Sequence, residues 1–546
     1  MKLHKSYQEF RNTRVFYPDP KNVDLDRVLV NLFLLFRCQG TRPVAPGPAR
    51  PDLERAEFHR KKLAGRPHVK GFDEHAEVAR SWLETDILDL VNRGRSNEAV
   101  ASLRPLHLEA HKVRVAKYCR DYNHADALYA MLAHAERQAL HDLEAYLDRG
   151  RSPATRQYDG STKLDLETLT VLKLVEDISD RHPSTELVAP HPPVCIGQSR
   201  VLCDDVQRLL AYADVVPRPV MIEYLKALFG LHLGLFTLRV ARQLPSWIRE
   251  GAPSPECVDC PVSGGAETPF SGCPHVVRFT VDMGGDWRSR MARMAQADAV
   301  REFGRTAELV RAIFTVNQLL RYARENGATH VTGPAEAVTL LRDRPPDLDA
   351  VFKVTLANVV RDSTEGADGG DAQLPPEIEA IRSAGLPPFE TFVELVTHIR
   401  QAHHLRYLTQ MLDKLFQKNA PFGALVQGRS RANPRRWQLG GRLLELFVQL
   451  AVLRFDEVDG RKRYYTDTLL VDDLVAWIEA RYGFVVAPRR EALRTASAEE
   501  HRAFQGNVRA FRDRLREIGF YVDLSDAYIA QTVRPRYTLA RAEVAP

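Results

Sequence analysis

Cys257, Cys260, Cys273 and His275 stand in the order CxxC, twelve residues, CxH. Thiolate and imidazole are ligands that zinc prefers, and four of them close a tetrahedral shell. The segment between the pairs, PVSGGAETPFSG, is rich in Gly, Pro and Ser, so both pairs can sit on separate turns and still meet. A catalytic zinc keeps an open position for water, whereas four protein ligands fill the shell. The spacing therefore predicts a structural zinc knuckle over 255–283. Free thiols also pack as small hydrophobes, but Pro255, Glu256, Asp259 and Pro261 are poor company for an apolar cluster. Cys38, Cys119, Cys195 and Cys203 show no metal-like spacing and are expected in or near cores. Seven cysteines in 546 residues do not make a disulfide framework.

Arginine is the second group with chemistry to offer. The formal net charge is +5, and residues 421–546 hold 21 Arg and Lys against 16 Asp and Glu, so the whole excess lies in the last quarter. A basic region on a neutral body is the electrostatic footprint expected of a nucleic-acid contact. Phe504, Val508, Phe511, Leu515 and Ile518 make one apolar stripe of a predicted helix, with Gln505, Asn507, Arg509, Arg512, Arg514 and Arg516 off it. A recognition helix needs that form: one face on its own domain and long polar donors toward groove and phosphates. Arg534 and Arg536 would sit on a following wing, and Arg429, Arg431, Arg435 and Arg436 cluster before Trp437. The plainer reading of the helix is a solvated charged face, which Asp513 and Glu517 favour.

Catalytic constellations are sparser. His107 and His111 are four apart and could share a metal, but HLEAH lacks the Glu of HExxH. Arg324 and His330 have the RxxxxxH spacing of one class of RNase-like helical domains, a pairing that chance supplies readily among 18 His and many Arg. His232 lies in an apolar run and reads as a satisfied core histidine. There is no Walker A sequence, GxSxG elbow or GxGxxG after a strand.

These groups must be carried by a mainly α framework. Apolar residues recur at helical spacing over Leu25–Cys38, His124–Leu147, Met221–Ile248, Trp287–Ala323 and Phe389–Gln417. Pro- and Gly-rich stretches at 40–52, 181–193 and 362–376 punctuate them. The expected organisation is an N-terminal helical region, 1–193; a central helical domain with the zinc knuckle, 194–361; and a C-terminal domain, 377–546. In the last, helices at 442–453, 470–481 and 502–518 precede extended runs at 520–524 and 532–539, the order of a winged-helix-like α+β domain. His275–Met283 reads as a short strand. The start, MKLHKSYQEFRNTRVF, is charged and lacks an apolar signal core, and the longest uncharged run, Ala227–Leu238, is shorter than a bilayer span, so a cytoplasmic location is expected.

The run YLKALFGLHLGLFTLRVARQLPSWI, the CxxC and CPH cluster with VDMGG, and WQLGGRLLELFVQLAVL with LVAWIEARYGFVV resemble accessory proteins of bacterial anti-phage defence islands, in particular a component of the methylation-associated defence system. Accessory proteins of phosphorothioation-dependent restriction are a looser comparison. The resemblance implies a non-catalytic subunit working beside an ATPase, nuclease or methyltransferase encoded separately, and it carries over no catalytic residues. With the basic C-terminal region it leads to the expectation of DNA contact. The rivals are a metal-dependent or RNase-like nuclease using His107, His111, Arg324 or His330, and a scaffold whose C-terminal domain binds protein.

Overall fold

A computed structural model describes residues 3–43, 71, 74–180, 182–364, 374–430, 432–458, 461–488, 497–521 and 531–541. Within them the chain is mainly α, with a few two-stranded sheets. The elements that position the groups singled out above are helices α1 (Ile196–Leu210), α2 (Arg218–Glu250), α3 (Arg290–Gly304), α4 (Thr306–Glu325), α5 (Pro388–Leu415), α6 (Gly441–Ala451), α7 (Val471–Tyr482) and α8 (Ala498–Glu517). The strands are β1 (Phe279–Thr280), β2 (Leu425–Val426), β3 (Arg436–Trp437), β4 (Leu453–Val458), β5 (Arg461–Thr466), β6 (Leu469–Leu470), β7 (Phe484–Val485) and β8 (Thr532–Val533).

Helix α2 is the axis of the molecule. It is apolar nearly all round, which is what burial on every side requires, and the residues from Met221 to Trp247 are almost all buried. It is the one described helix long and apolar enough to cross a bilayer, and most of that apolar stretch is enclosed by protein. Gly251 at φ +62° ends it in the left-handed conformation that glycine tolerates best. Helices α1, α4 and α5 pack against α2. The predicted single helix over 124–147 is two, His124–Ala135 and Arg137–Leu147, because Glu136 is extended at φ −155° and breaks the ladder.

One contiguous apolar core runs from Leu3 through the N-terminal helices, α2, α4 and α5 to Val533. The expected boundaries near 193 and 361 to 377 thus do not separate cores. Strand β1, which leaves the cysteine loop, shows how the C-terminal part is built in: it pairs in parallel with β7, while the Asp282 N–H donates to the Trp437 carbonyl of β3 at 3.0 Å. The Trp437 ring stacks on Phe279 with centroids 4.2 Å apart. Gly483, at φ +82°, turns α7 into β7, and a Cβ there would lie 2.0 Å from the Val277 carbonyl oxygen, so only glycine permits this approach.

The C-terminal elements depart from the expected wing. Helices α6, α7 and α8 form where predicted, but a six-residue antiparallel hairpin, β4 with β5, stands between the first two. No hairpin joins 520–524 to 532–539 among the described residues, and 522–530 lie outside them. Instead β8 pairs with β6, the strand that opens α7. The predicted strand over 275–283 shrinks to Phe279–Thr280, because only that stretch finds a partner backbone.

Candidate nucleic-acid interface and thiol cluster

Helix α8 starts at Ser497, whose hydroxyl accepts the Glu500 N–H while the Glu500 carboxylate accepts the Ser497 N–H, a reciprocal cap that the sequence SAEE supplies. Phe504, Phe511 and Leu515 are buried on its inner face, with Val508 and Ile518 half-buried. Asn507 belongs to the same face. It is 2% exposed; its Nδ2 donates to the carbonyls of Val281 (2.9 Å) and Val486 (2.8 Å), and its Oδ1 accepts the Met283 N–H at 2.8 Å. Sequence reasoning placed this residue on the polar face; a buried amide with every partner found is a clamp, and its chemistry resembles that of an exposed donor on paper.

The outer face carries Arg502 and Arg509, both exposed and with no acidic partner among the described residues. Arg512 is half-buried, 3.9 Å from Asp472; Arg514 pairs with Glu517 and Arg516 with Asp513. Arg534 is exposed beside the helix C-terminus, where its N–H donates to the Phe520 carbonyl at 3.2 Å. Arg429 is exposed on the loop joining β2 to β3, and Arg431 lies outside the described residues.

Three of the arginines expected to contact DNA instead have carboxylate partners on other elements: Arg436 is buried, Arg435 half-buried and Arg536 exposed. Arg436 is 2% exposed, pairs with Asp282 at 3.2 Å, donates to the Gly285 carbonyl and lies 3.7 Å over the Trp287 ring. Arg435 forms a two-pronged bridge to Asp413, both distances 2.8 Å, and covers Phe303. Arg536 pairs with buried Glu445, donates to the Ile518 carbonyl and covers Phe520. In all three a guanidinium meets a carboxylate and an aromatic face in one place, an arrangement that its planar fork suits.

The cysteine loop packs on the N-terminus of α1. Arg200 donates to the carbonyls of Cys260 (2.8 Å) and Val262 (3.0 Å), and Gly197 makes room, since a Cβ there would lie 3.1 Å from Cys260 Sγ. Cys260 and Cys273 border a small apolar cluster of Val201, Val262 and Phe270. His275 turns its ring toward Ser254, with Nε2 3.5 Å from the hydroxyl, and its charged neighbours are Glu250, Arg242, Arg239 and Glu256.

Cys195, expected in or near a core, is half-buried and packs against the main apolar core. It is the N-cap of α1; Cys260 and Cys273 lie within electrostatic reach of it, and Cys257 feels Cys195, Cys273 and Cys260. Burial pushes the Cys195 thiol up to about 11 and Cys257 up to about 12. Among the described residues, no three His, Cys, Asp or Glu side chains already stand in the geometry of a metal site. Nothing in the spacing marks Cys195, which sits sixty-odd residues upstream on another element.

Beyond this cluster runs a buried polar chain. Arg239 donates to Gln198 Oε1 (2.7 Å), Gln198 Nε2 meets His232 Nδ1 (2.7 Å), and His232 Nε2 meets Asp205 Oδ2 (2.9 Å). Asp205 also accepts Tyr482 (2.9 Å) and Arg481 (2.6 Å), and Arg481 bridges to Asp204 at 2.7 Å. His232 is the satisfied core histidine expected of it. The rival catalytic residues do not converge: His107 contacts the Glu109 N–H and the Arg149 carbonyl, and His111 the Leu108 carbonyl. Burial pushes both imidazoles down to about 4. Arg324 and His330 are exposed; Arg324, but not His330, lines a cavity of about 400 Å³ with Glu9, Arg14 and Arg321.

No curated protein matches this chain. One family model covers nearly all of the residues described here. That model, the methylation-associated defense system protein MAD7, matches residues 5–537, and the chain belongs to this family.

Proposed function

We propose that this protein is a non-catalytic accessory subunit of its methylation-associated defence system and contacts DNA through the outer face of α8. Family membership places it in such a system, where partner proteins are expected; the finer reading rests on α8. Its inner face is pinned by Phe504, Asn507, Phe511 and Leu515, while Arg502 and Arg509, with Arg534 beside its end, present guanidinium groups that no carboxylate among the described residues neutralises. That single observation carries the reading, because free arginine on a rigid support is what phosphate contact needs. An ATPase, nuclease or methyltransferase of the same system would supply the chemistry.

The full-length protein, titrated with duplex DNA with and without base methylation at low and physiological salt, tests this. Binding that weakens in the Arg502→Ala, Arg509→Ala, Arg534→Ala triple variant supports it. No binding, or binding unchanged in the variant, gives the face to a protein partner. DNA cleavage lost on His330→Ala would establish the nuclease reading instead.

A further inference from the structure

We propose that Cys195, Cys257, Cys260 and Cys273 together hold one zinc ion, with Arg239 and the Trp247 indole N–H as its supporting shell and His275 outside it. Cys260 and Cys273 pack on one apolar cluster, Cys260 Sγ lies 3.1 Å from where a Cβ on Gly197 would stand, two residues past Cys195, and the thiols of Cys195 and Cys257 each feel those of Cys260 and Cys273. The backbone that presents them is held by Arg200 and by the close approach at Gly197. Closing the shell requires rotation of cysteine side chains, which are short and have one χ angle each.

Two independent features favour thiolates over neutral thiols at this place. Arg239 is 1% exposed on α2 and has no carboxylate partner among the described residues. Its hydrogen bonds go to Gln198 and the His275 carbonyl, and its guanidinium lies 3.5 Å over Phe270, a ring of the cluster that Cys260 and Cys273 border. A buried cation without a counter-ion is costly. Trp247, 4% exposed on the same helix, has a buried indole N–H that finds no nitrogen or oxygen acceptor among the described residues and turns to the Cys257 thiol. A neutral thiol is a weak acceptor, but a zinc-bound thiolate is a strong one. Binding releases the four thiol protons to solvent, and the resulting zinc tetrathiolate carries two negative charges, one of which Arg239 offsets.

His275, the fourth ligand expected from the spacing, stands outside the proposed shell. Its backbone carbonyl is tied to Arg239 and its ring to Ser254, and its charged surroundings are side chains other than the cysteines. Cys195 also sits at the start of a fifteen-residue helix, where the dipole favours a thiolate.

The full-length protein, purified without chelator, is expected to contain about one zinc per chain. Zinc-edge X-ray absorption should show four sulfur neighbours near ~2.3 Å. Cys195→Ser should lose most of the metal, while His275→Ala and the control Cys203→Ser keep it. A protein without stoichiometric metal overturns the proposal. So does a wild-type shell of three sulfurs and one nitrogen near ~2.0 Å, or zinc lost from His275→Ala and kept by Cys195→Ser. The wild-type spectrum decides the ligand set even if Cys195→Ser does not fold.

Discussion

Arg481 Nε lies 2.6 Å from Asp205 Oδ1, and neither side chain reaches solvent although 276 residues separate them in the chain. The pair joins α7 to α1, so the C-terminal region is locked to the body through charge as well as apolar packing. Removing one partner of a buried pair leaves the other uncompensated, at a cost on the order of 3–5 kcal/mol. Arg481→Met should lower the unfolding free energy by that amount in urea titrations and open the 471–541 region to limited proteolysis. A loss below ~1 kcal/mol would show that Asp204 and Asp205 are satisfied without it.

The arginines divide into two sets that a salt titration can tell apart. Replacing Arg429, Arg509 and Arg534 by Ala should weaken DNA binding about equally for all sequences and reduce the slope of log affinity against log salt by up to ~3. Stability should stay within ~0.5 kcal/mol, since exposed side chains without partners contribute little.

Arg436→Ala makes the opposite prediction. It strips Asp282 of its counter-charge and Trp287 of its cover, so the loss should appear as a lowered thermal midpoint, roughly 3–5 kcal/mol of stability. The salt slope of DNA binding should not change. A normal midpoint with a reduced slope would return Arg436 to the interface.

Stability should also fall with acid over a defined window. His107 and His111 are held near 4 by burial, below the ordinary histidine value of 6.5, so the unfolded chain binds more protons between those limits. Their contribution is fully present above about 6.5 and is lost as pH falls toward 4. Glu109, brought to about 2 against its own burial by Lys112 and Arg37, extends the loss to lower pH. Denaturant unfolding at pH 7.5 and pH 5 should differ by a few kcal/mol, and His111→Phe should flatten the difference.

Periodicity made the helices legible, because burying one stripe or a whole surface leaves its trace at 3.6-residue spacing, as α2 and α8 show. The hairpin β4 with β5 had a signal too, the Asp459-Gly460 dipeptide between two short runs. The partners of Arg435, Arg436 and Arg536 were not legible: Asp413, Asp282 and Glu445 lie 22 to 154 positions away on other elements. Cys195 packs against the core as expected, and its coupling to the cysteine loop was not legible for the same reason. Motif spacing detects residues that share a loop, whereas this residue reaches the cluster through tertiary packing.

Asn507 has one further consequence. Its amide hydrogens and its carbonyl oxygen all go to fixed backbone atoms on two separate segments, and successive residues of a helix are displaced by about 100° around its axis. This one side chain therefore indexes the azimuth of α8. Arg502 and Arg509, seven positions apart, leave the helix in nearly the same direction, so the backbone of that face is set in advance. A change of Asn507 to Asp would exchange a donor for a second acceptor facing two carbonyls, and the helix would have to roll to escape them, carrying its arginines to a new bearing without altering any of them.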